Sequence, residues 1–244
     1  MITTTDTLLN GRIILEQPEE GYRAAIDPVF LAATIPASGQ ETVLDVGTGV
    51  GAAMLCLAAR AQEVQILGLE MQRELASLAS RNIRANQFHE RLDVVNGNLL
   101  RFPPRIAAGS YHHVMANPPY HQPANTTPSK IPSKALANSE SEASLADWVN
   151  FCYLMVRPKG SVTFVHRADR LDALLALMHG KLGNIIIFPL WPALGKDAKR
   201  IIIQGRKNMF GPTRLSQGML MHSQNKEITP EAEDILRRGF AIRL

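Results

Sequence analysis

The chain has 244 residues, 45% of them apolar and 20% charged, which is enough for one sizeable α/β domain or two small ones and excludes wholesale disorder. The first six residues lack the basic and apolar regions of a signal peptide, and no apolar run approaches the roughly eighteen residues of a membrane span. Cys56 and Cys152 each fall within an apolar helical pattern, which favours buried thiols over a disulfide or a metal pair. We therefore expect a single cytoplasmic domain over residues 1–244.

The net charge of +4 is unevenly distributed along the chain. Residues 151–214 carry eleven Lys/Arg against three acidic residues, a balance of +8, so the remaining residues carry −4. A basic half beside an acidic half predicts a polyanion partner such as RNA, although dispersed solvating lysines would give a similar count. The sequence alone leaves open whether these charges share a face.

The first 40 residues are predicted to form an N-terminal extension with one short strand-like stretch, residues 12–16. Asp27 stands directly before Pro28 and an apolar run, a spacing typical of an N-cap and the first turn of a short helix. Capping alone could account for Asp27. The sequence indicates no structural role for Arg23.

A glycine loop follows the first buried strand. The strand is residues 42–46, the loop reads Gly-Thr-Gly-Val-Gly over residues 47–51, and a small-residue helix follows at 52–61. This order brings bare backbone amides and a helix N-terminus beside a ligand, so it predicts nucleotide binding, and it also satisfies the dinucleotide pattern. Asp45 separates the two interpretations, because a carboxylate there would repel a pyrophosphate but could bond, directly or through water, to the cationic amino-acid end of S-adenosylmethionine.

Two further polar residues follow predicted strands. Glu70 closes the strand at 64–69 and lies 19 residues after Gly51, close to the spacing at which an acid meets ribose hydroxyls. A helix at 71–86 follows, so Glu70 could instead be a helix N-terminal acid. Asn98 follows the strand at 92–95 and could meet an adenine edge, although an Asx turn would have the same sequence.

Asn117-Pro118-Pro119-Tyr120 follows the apolar run 111–116, where a buried strand would open onto a loop. Two prolines remove two backbone donors and stiffen the turn, which leaves the carbonyls of Asn117 and Pro118 as fixed acceptors for an amine. Tyr120 could lie flat against a planar ring that carries this amine. The alternative is a turn that ends a strand and exposes an aromatic side chain.

Together these segments resemble class I S-adenosylmethionine-dependent amino methyltransferases, in which the loop from Asp45 to Gly51, Glu70 and the Asn-Pro-Pro-Tyr motif stand in this order. Residues 21–27 and the tail from 228 to 239 are more narrowly similar to the bacterial family that methylates adenine N6 of valine tRNA beside the anticodon. Asn98 departs from the pattern, since many of these enzymes carry Asp there. An amide oxygen can still contact the adenine amine.

The resemblance implies an α/β, Rossmann-like, doubly wound and mainly parallel sheet of seven strands with an antiparallel last strand. S-adenosyl-L-methionine is the implied cofactor and tRNA the implied partner. The extension 1–40 would cover the cofactor. The implied catalytic residues are Asn117, Pro118 and Tyr120, and the cofactor would be bound by Arg23, Asp27, Asp45, Gly47, Gly49, Gly51, Glu70, Asn98 and Asn117.

The second half of the chain is predicted to complete this sheet. Residues 121–140 show no periodicity and are interpreted as a flexible substrate loop, with a surface insertion as the alternative. Helices are predicted at 144–156 and 169–182, strands at 161–166, 185–190 and 200–204, a strand-like stretch at 214–222 and a final helix from Thr229 to Gly239. The candidate RNA contacts, besides Tyr120 for the base, are Lys130, Lys134, Lys196, Lys199 and Arg200.

The sequence leaves the acceptor open. Guanine N2 of ribosomal RNA and a glutamine amide of a protein remain alternatives to adenine N6, and a cofactor-binding RNA-associated protein without turnover is the alternative to an enzyme. The seven histidines show no ligand spacing, so no metal is predicted. The oligomeric state is not predicted.

Overall fold

The structure is a computed structural model that describes residues 1–21, 23–120 and 143–244. The strands are β1 Thr3–Leu8, β2 Ile13–Pro18, β3 Thr42–Val46, β4 Gln65–Glu70, β5 Leu92–Asn96, β6 Tyr111–Ala116, β7 Val156–Arg167, β8 Leu182–Ala193, β9 Arg200–Lys207, β10 Arg214–Leu215 and β11 Met219–His222. The helices are α1 Asp27–Thr34, α2 Ala52–Arg60, α3 Arg73–Ala85, α4 Leu145–Met155, α5 Leu171–Met178 and α6 Pro230–Glu233. The last helix continues as a π-helical segment, Asp234–Arg238, and ends at Gly239.

The central sheet has the strand order β10-β8-β9-β7-β6-β3-β4-β5, and β11 also pairs with β8. β3 to β8 run parallel, while β9 lies antiparallel between β7 and β8. These seven strands confirm the predicted sheet and its antiparallel last strand, to which β10 and β11 add two short edge strands. β1 and β2 form a separate hairpin.

The sheet is covered on both faces, as the doubly wound pattern requires. Val43 and Leu44 are neighbours on β3, and because successive side chains of a strand point to opposite faces, they pack into different cores. One core is formed with α1, α2, α3 and the N-terminal hairpin, and the other with α4 and α5. Cys56 and Cys152 are buried free thiols, one in each core.

The structure differs from the predicted elements in several places, and three of the differences have identifiable physical causes. β1 was not predicted, because its sequence is mostly threonine and has no apolar face. It is held as a strand by its backbone pairing with β2. α5 ends at Met178 rather than residue 182, because Gly180 adopts a left-handed backbone with φ +73° that stops the helix. β7 begins directly after α4 and absorbs Pro158 and Lys159 in an irregularity of its pairing with β6.

The register defines two ends of the sheet. We call the end at which β3 to β8 finish the carboxyl edge and the end at which they begin the amino edge. Arg167 pairs with Arg200, so the β8–β9 loop, residues 194–199, lies at the carboxyl edge. None of the helices in the described ranges is long and apolar enough to cross a membrane.

Candidate functional site

A cavity of about 410 Å³ opens at the carboxyl edge, between the ends of β3, β4, β5 and β6. Because the carboxyl ends of parallel strands meet at one edge, polar residues that are far apart in sequence converge there. Nine of the residues predicted from sequence lie on its wall: Arg23, Asp45, Gly47, Gly49, Glu70, Asn98, Asn117, Pro118 and Tyr120. Asp27 and Gly51 are not on the wall.

Four of the five amides of the glycine loop are already hydrogen-bonded within the protein, so the loop presents fewer bare amides than the sequence-based expectation. The amides of Gly47 and Thr48 both donate to the Leu69 carbonyl, that of Gly49 donates to the Glu70 carboxylate, and that of Gly51 donates to the Thr48 carbonyl. A pyrophosphate would need these donors, and two carboxylates beside the loop would repel it. The loop therefore disfavours a dinucleotide.

Asp45 is a buried carboxyl at the end of β3, with 2% of its surface exposed. The Thr48 hydroxyl donates to it at 2.6 Å. Burial raises the pKa of Asp45 to about 7, and the nearby Glu70 adds to the increase. Burying a carboxylate whose side-chain donor is a neutral hydroxyl costs free energy, so this position favours a ligand that carries positive charge.

Glu70 joins the glycine loop to the next helix. Its two oxygens accept from the amides of Gly49 at 2.9 Å and Gln72 at 2.8 Å. Burial raises the pKa of this carboxyl, although the backbone donors partly oppose the increase. Each carboxylate oxygen has a second lone pair, so Glu70 retains acceptor capacity toward the cavity that it lines.

Two glycines of the loop have different physical roles. A Cβ at Gly47 would lie 2.4 Å from the Trp148 ring, so only glycine permits this approach of α4 to the loop. Gly51 adopts φ +89° and packs against Ala79, which fixes the start of α2 rather than the cavity wall. Sequence reasoning missed Trp148 and Thr48 as wall residues. No spacing signal identifies Trp148, whereas Thr48 stands three residues after Asp45.

The side chains of Arg23 and Asn98 each have partners within the protein. Arg23 donates to the Asp6 carboxylate at 2.5 Å and to the Pro18 carbonyl at 2.8 Å, which holds it on the cavity wall. Asn98 Oδ1 accepts from the Leu100 amide at 2.8 Å, the Asx-type turn that the sequence left open. Asn98 still lines the cavity.

The sequence left open that Asp27 caps α1, and the structure contradicts this alternative. Ile26 is the N-cap of α1 and no side chain caps this helix end. The Asp27 carboxylate instead lies 2.6 Å from the Tyr120 hydroxyl and accepts from Arg200 Nε at 3.0 Å. The Tyr120 hydroxyl is also 2.8 Å from Asn117 Oδ1. Asp27 therefore contacts the Asn-Pro-Pro-Tyr motif from behind the cavity wall.

Two side chains pack against the Tyr120 ring. The Arg200 guanidinium lies over the ring at 4.7 Å from its centroid, and the His166 ring meets it edge-on at 5.3 Å. Burial lowers the pKa of His166 to about 4, so this ring is neutral at pH 7. Sequence reasoning missed His166, which lies at the end of β7.

The other basic candidates lie outside the cavity wall. Lys196 and Lys199 are exposed on the β8–β9 loop at the carboxyl edge, and Arg200 begins β9 there. Lys130 and Lys134, with the rest of the predicted loop 121–140, lie outside the described residues. The described ranges hold no group of three or more His, Cys, Asp or Glu that could hold a metal ion.

Comparison with known proteins identifies a family model and many relatives. Residues 25–142 match the model of the methyltransferase small domain. Relatives named tRNA1(Val) (adenine(37)-N6)-methyltransferase include one from Shewanella baltica, 26% identical over 91% of this chain and 86% of the relative. Another, from Enterobacter sp., is 29% identical over 82% of this chain and 88% of the relative.

Solved structures share the fold. A predicted O-methyltransferase from Agrobacterium tumefaciens has a TM-score of 0.75 at 21% identity, covering 89% of this chain and 99% of that chain. A tRNA (m1A58) methyltransferase from Aquifex aeolicus has a TM-score of 0.57 at 14% identity, covering 79% and 72%. Both are similar in overall fold to this chain, whose sheet is mainly parallel with an antiparallel last strand.

Proposed function

Since this chain is a class I methyltransferase that uses S-adenosylmethionine, we propose that it methylates the exocyclic N6 amine of an adenine in tRNA. The observation that carries the proposal is the arrangement of Asn117, Pro118 and Tyr120 on the wall of a cavity that also holds Asp45 and Glu70. The names of the relatives support adenine in tRNA as the acceptor.

The cavity residues fit the cofactor. S-adenosylmethionine, when bound, supplies an electrophilic methyl group on a sulfonium and carries a cationic amino group and two ribose hydroxyls. Asp45, whose pKa is raised by burial and by the nearby Glu70, would hold the cationic amino-acid end. Glu70 would accept from the ribose hydroxyls. Arg23 and Asn98, on the same wall, would contact the cofactor's carboxylate and adenine.

The acceptor amine requires localisation of its lone pair, because conjugation with the ring makes it a poor nucleophile. Asn117 and Pro118 offer two carbonyl oxygens on a turn stiffened by two prolines. If these oxygens accept the two N–H hydrogens, the nitrogen lone pair is directed at the methyl group and the developing positive charge is stabilised. Tyr120 would stack on the base, which must leave its own stack to enter the cavity.

Lys196 and Lys199 would contact the RNA backbone outside the cavity. They lie at the same edge of the sheet as the motif, they are exposed, and neither side chain forms a hydrogen bond or ion pair with any residue of the described ranges. Phosphate contacts of this kind position an RNA without reading its sequence. The positive charge of these two lysines beside the motif supports an RNA base over a protein glutamine as the acceptor.

The acceptor class is tested by incubating the enzyme with methyl-labelled S-adenosylmethionine and separate pools of tRNA, ribosomal RNA and release factor. We expect label in tRNA, with Asn117→Ala as the blank. Label in ribosomal RNA would favour guanine N2, and label in release factor would favour a glutamine amide. Either of these results, without label in tRNA, would overturn the proposed acceptor while leaving the methyltransferase chemistry intact.

A further inference from the structure

Among the described residues, the Tyr120 hydroxyl contacts two groups that can accept a hydrogen bond, the Asp27 carboxylate and the Asn117 amide, and it has one proton to donate. It lies 2.6 Å from the Asp27 carboxylate and 2.8 Å from the Asn117 amide. A hydrogen bond to a charged acceptor is stronger and shorter than one to a neutral amide, so the proton goes to Asp27. The Tyr120 oxygen is then an acceptor toward Asn117.

This assignment bears on which way the Asn117 amide faces. Asn117 Oδ1 lies 2.8 Å from the Tyr120 oxygen, and two oxygens with no proton between them repel, so Tyr120 favours the orientation in which the amide presents its N–H to it. A half-turn of the amide exchanges its oxygen and nitrogen without changing its shape. The Asn117 carbonyl oxygen then points away from Tyr120, which is the orientation that an acceptor for a substrate amine needs.

Arg200 holds the Asp27 carboxylate in place. Its Nε donates to the same carboxylate oxygen at 3.0 Å, and the Asp27 side chain is only 13% exposed. The Arg200 guanidinium also covers the Tyr120 ring without reaching the cavity wall, which leaves the cavity side of the ring for a base. Three distant segments, α1, the Asn-Pro-Pro-Tyr motif and β9, thus meet at one carboxylate.

We propose that Asp27 is a positioning residue: it accepts the Tyr120 proton, and through Tyr120 it orients the Asn117 amide toward the substrate amine. This inference rests on the proposed role of Asn117 in methyl transfer. It reassigns Asp27 from a cofactor ligand to a support of the catalytic motif, and Arg200 from a phosphate contact to the partner of Asp27.

Kinetics of Asp27→Ala and Tyr120→Phe test the proposal on whichever acceptor pool the wild-type enzyme methylates. We expect each variant to lower kcat by about 10- to 100-fold with little change in KM for the acceptor or in cofactor Kd, the size typical of misplacing a reacting group. Because the two residues act through the same series of hydrogen bonds, the kcat of the double variant should fall no further than that of the more impaired single variant. Asp27→Asn, which keeps an acceptor for Tyr120, should retain more activity than Asp27→Ala.

Glu16→Ala is the matched control, because Glu16 also holds an arginine with its carboxylate, Arg81 at 3.0 Å, but lies away from the motif. We expect this variant to keep the wild-type kcat. A kcat loss from Asp27→Ala no larger than that of Glu16→Ala, or losses that multiply in the Asp27→Ala/Tyr120→Phe double variant, would overturn the proposal.

A second measurement does not depend on the acceptor. The side-chain amide resonances of Asn117, assigned by their loss in Asn117→Ala, should shift in Tyr120→Phe and in Asp27→Ala but not in Glu16→Ala. Unchanged resonances in Asp27→Ala would contradict the proposal. If the wild-type enzyme methylates none of the three pools, the proposed acceptors fail, and these resonances still decide whether Asp27 orients the amide.

Discussion

The two ends of the sheet both hold buried polar groups and basic side chains, but they use them differently. At the amino edge, His113 lies between Ser161 at 2.8 Å and Glu41 at 3.1 Å, so its ring nitrogens both have partners. At the carboxyl edge, Asp45 is buried with a pKa raised to about 7. Buried polar groups whose hydrogen bonds are all made within the protein stabilise a fold. A buried carboxyl whose ionised form is destabilised instead indicates a ligand-binding site.

The basic residues of segment 151–214 divide between the same two ends. Five lie at the carboxyl edge (Arg167, Arg170, Lys196, Lys199, Arg200) and five at the amino edge (Arg157, Lys159, Lys181, Arg206, Lys207), with Arg214 on β10. Three of the amino-edge side chains donate to main-chain carbonyls, so their charge is used to hold the fold. The charge balance of the segment therefore overstates the basic surface that the proposed RNA partner would contact, so the position of each cation is more informative than the total.

The largest expected effect is at the carboxyl edge, in Asn117→Ala. Removal of one hydrogen-bond acceptor of the transition state should lower turnover about 100- to 1,000-fold. The cofactor Kd measured by calorimetry should stay within about twofold of the wild-type value. The amino-edge counterpart, His113→Ala, should instead destabilise the fold by about 1–3 kcal/mol and keep kcat per folded molecule. Wild-type turnover in Asn117→Ala would contradict the functional difference between the two edges.

Asp45→Asn is expected to weaken cofactor binding by about 10- to 100-fold, the loss of one charge-assisted contact in a buried site. The same change should stabilise the cofactor-free protein above pH 7, because it removes a costly buried carboxylate. Calorimetry and thermal unfolding measure the two effects separately. Wild-type cofactor affinity in this variant would contradict the assignment of Asp45.

The paired variants Lys196→Glu/Lys199→Glu and Arg157→Glu/Lys159→Glu make the same change of charge at opposite ends of the sheet. We expect the carboxyl-edge pair to raise KM for tRNA about tenfold. The slope of the logarithm of the binding constant against the logarithm of salt concentration should fall by the equivalent of up to about two phosphate contacts. The amino-edge pair should leave both quantities close to wild type. Equal effects of the two pairs would show that net charge, rather than location, governs RNA binding.

The raised pKa of Asp45 predicts the smallest effects, which depend on pH. An unfolded Asp ionises near its ordinary value of 3.8, and folded Asp45 ionises near 7, so the folded state binds more protons between these values. The stability of the cofactor-free protein should therefore fall as the pH rises from about 4 to 7, with Glu70 acting in the same direction. Asp45→Asn should flatten this dependence, and an unchanged unfolding profile would contradict the shift.

Cofactor binding should also release protons near pH 7, because the cationic cofactor favours ionised Asp45. Calorimetry in buffers with different ionisation enthalpies should detect up to about one proton per site in the wild-type protein. Asp45→Asn should release fewer. Equal proton release from both proteins would assign the effect to another group.

The sequence predicted the sheet and the elements whose signals are local. β3 and β6 have their predicted bounds because short apolar runs there are bounded by turn residues. Asp45, Glu70, Asn98 and Asn117 converge because each lies at or just after the carboxyl end of a parallel strand. The contacts of Asp27 with Tyr120 and Arg200 could not be predicted, since they join residues separated by 93 and 173 positions. The approach of Trp148 to Gly47 depends likewise on helix packing rather than on local pattern.

The proposed function requires that the carboxyl edge direct a methyl group to adenine N6. The most direct measurement is digestion of labelled tRNA to nucleosides after reaction with the wild-type enzyme and with Asn117→Ala. We predict label in N6-methyladenosine with the wild-type enzyme and none with Asn117→Ala. Label in any other nucleoside, or equal labelling by the two proteins, would contradict it.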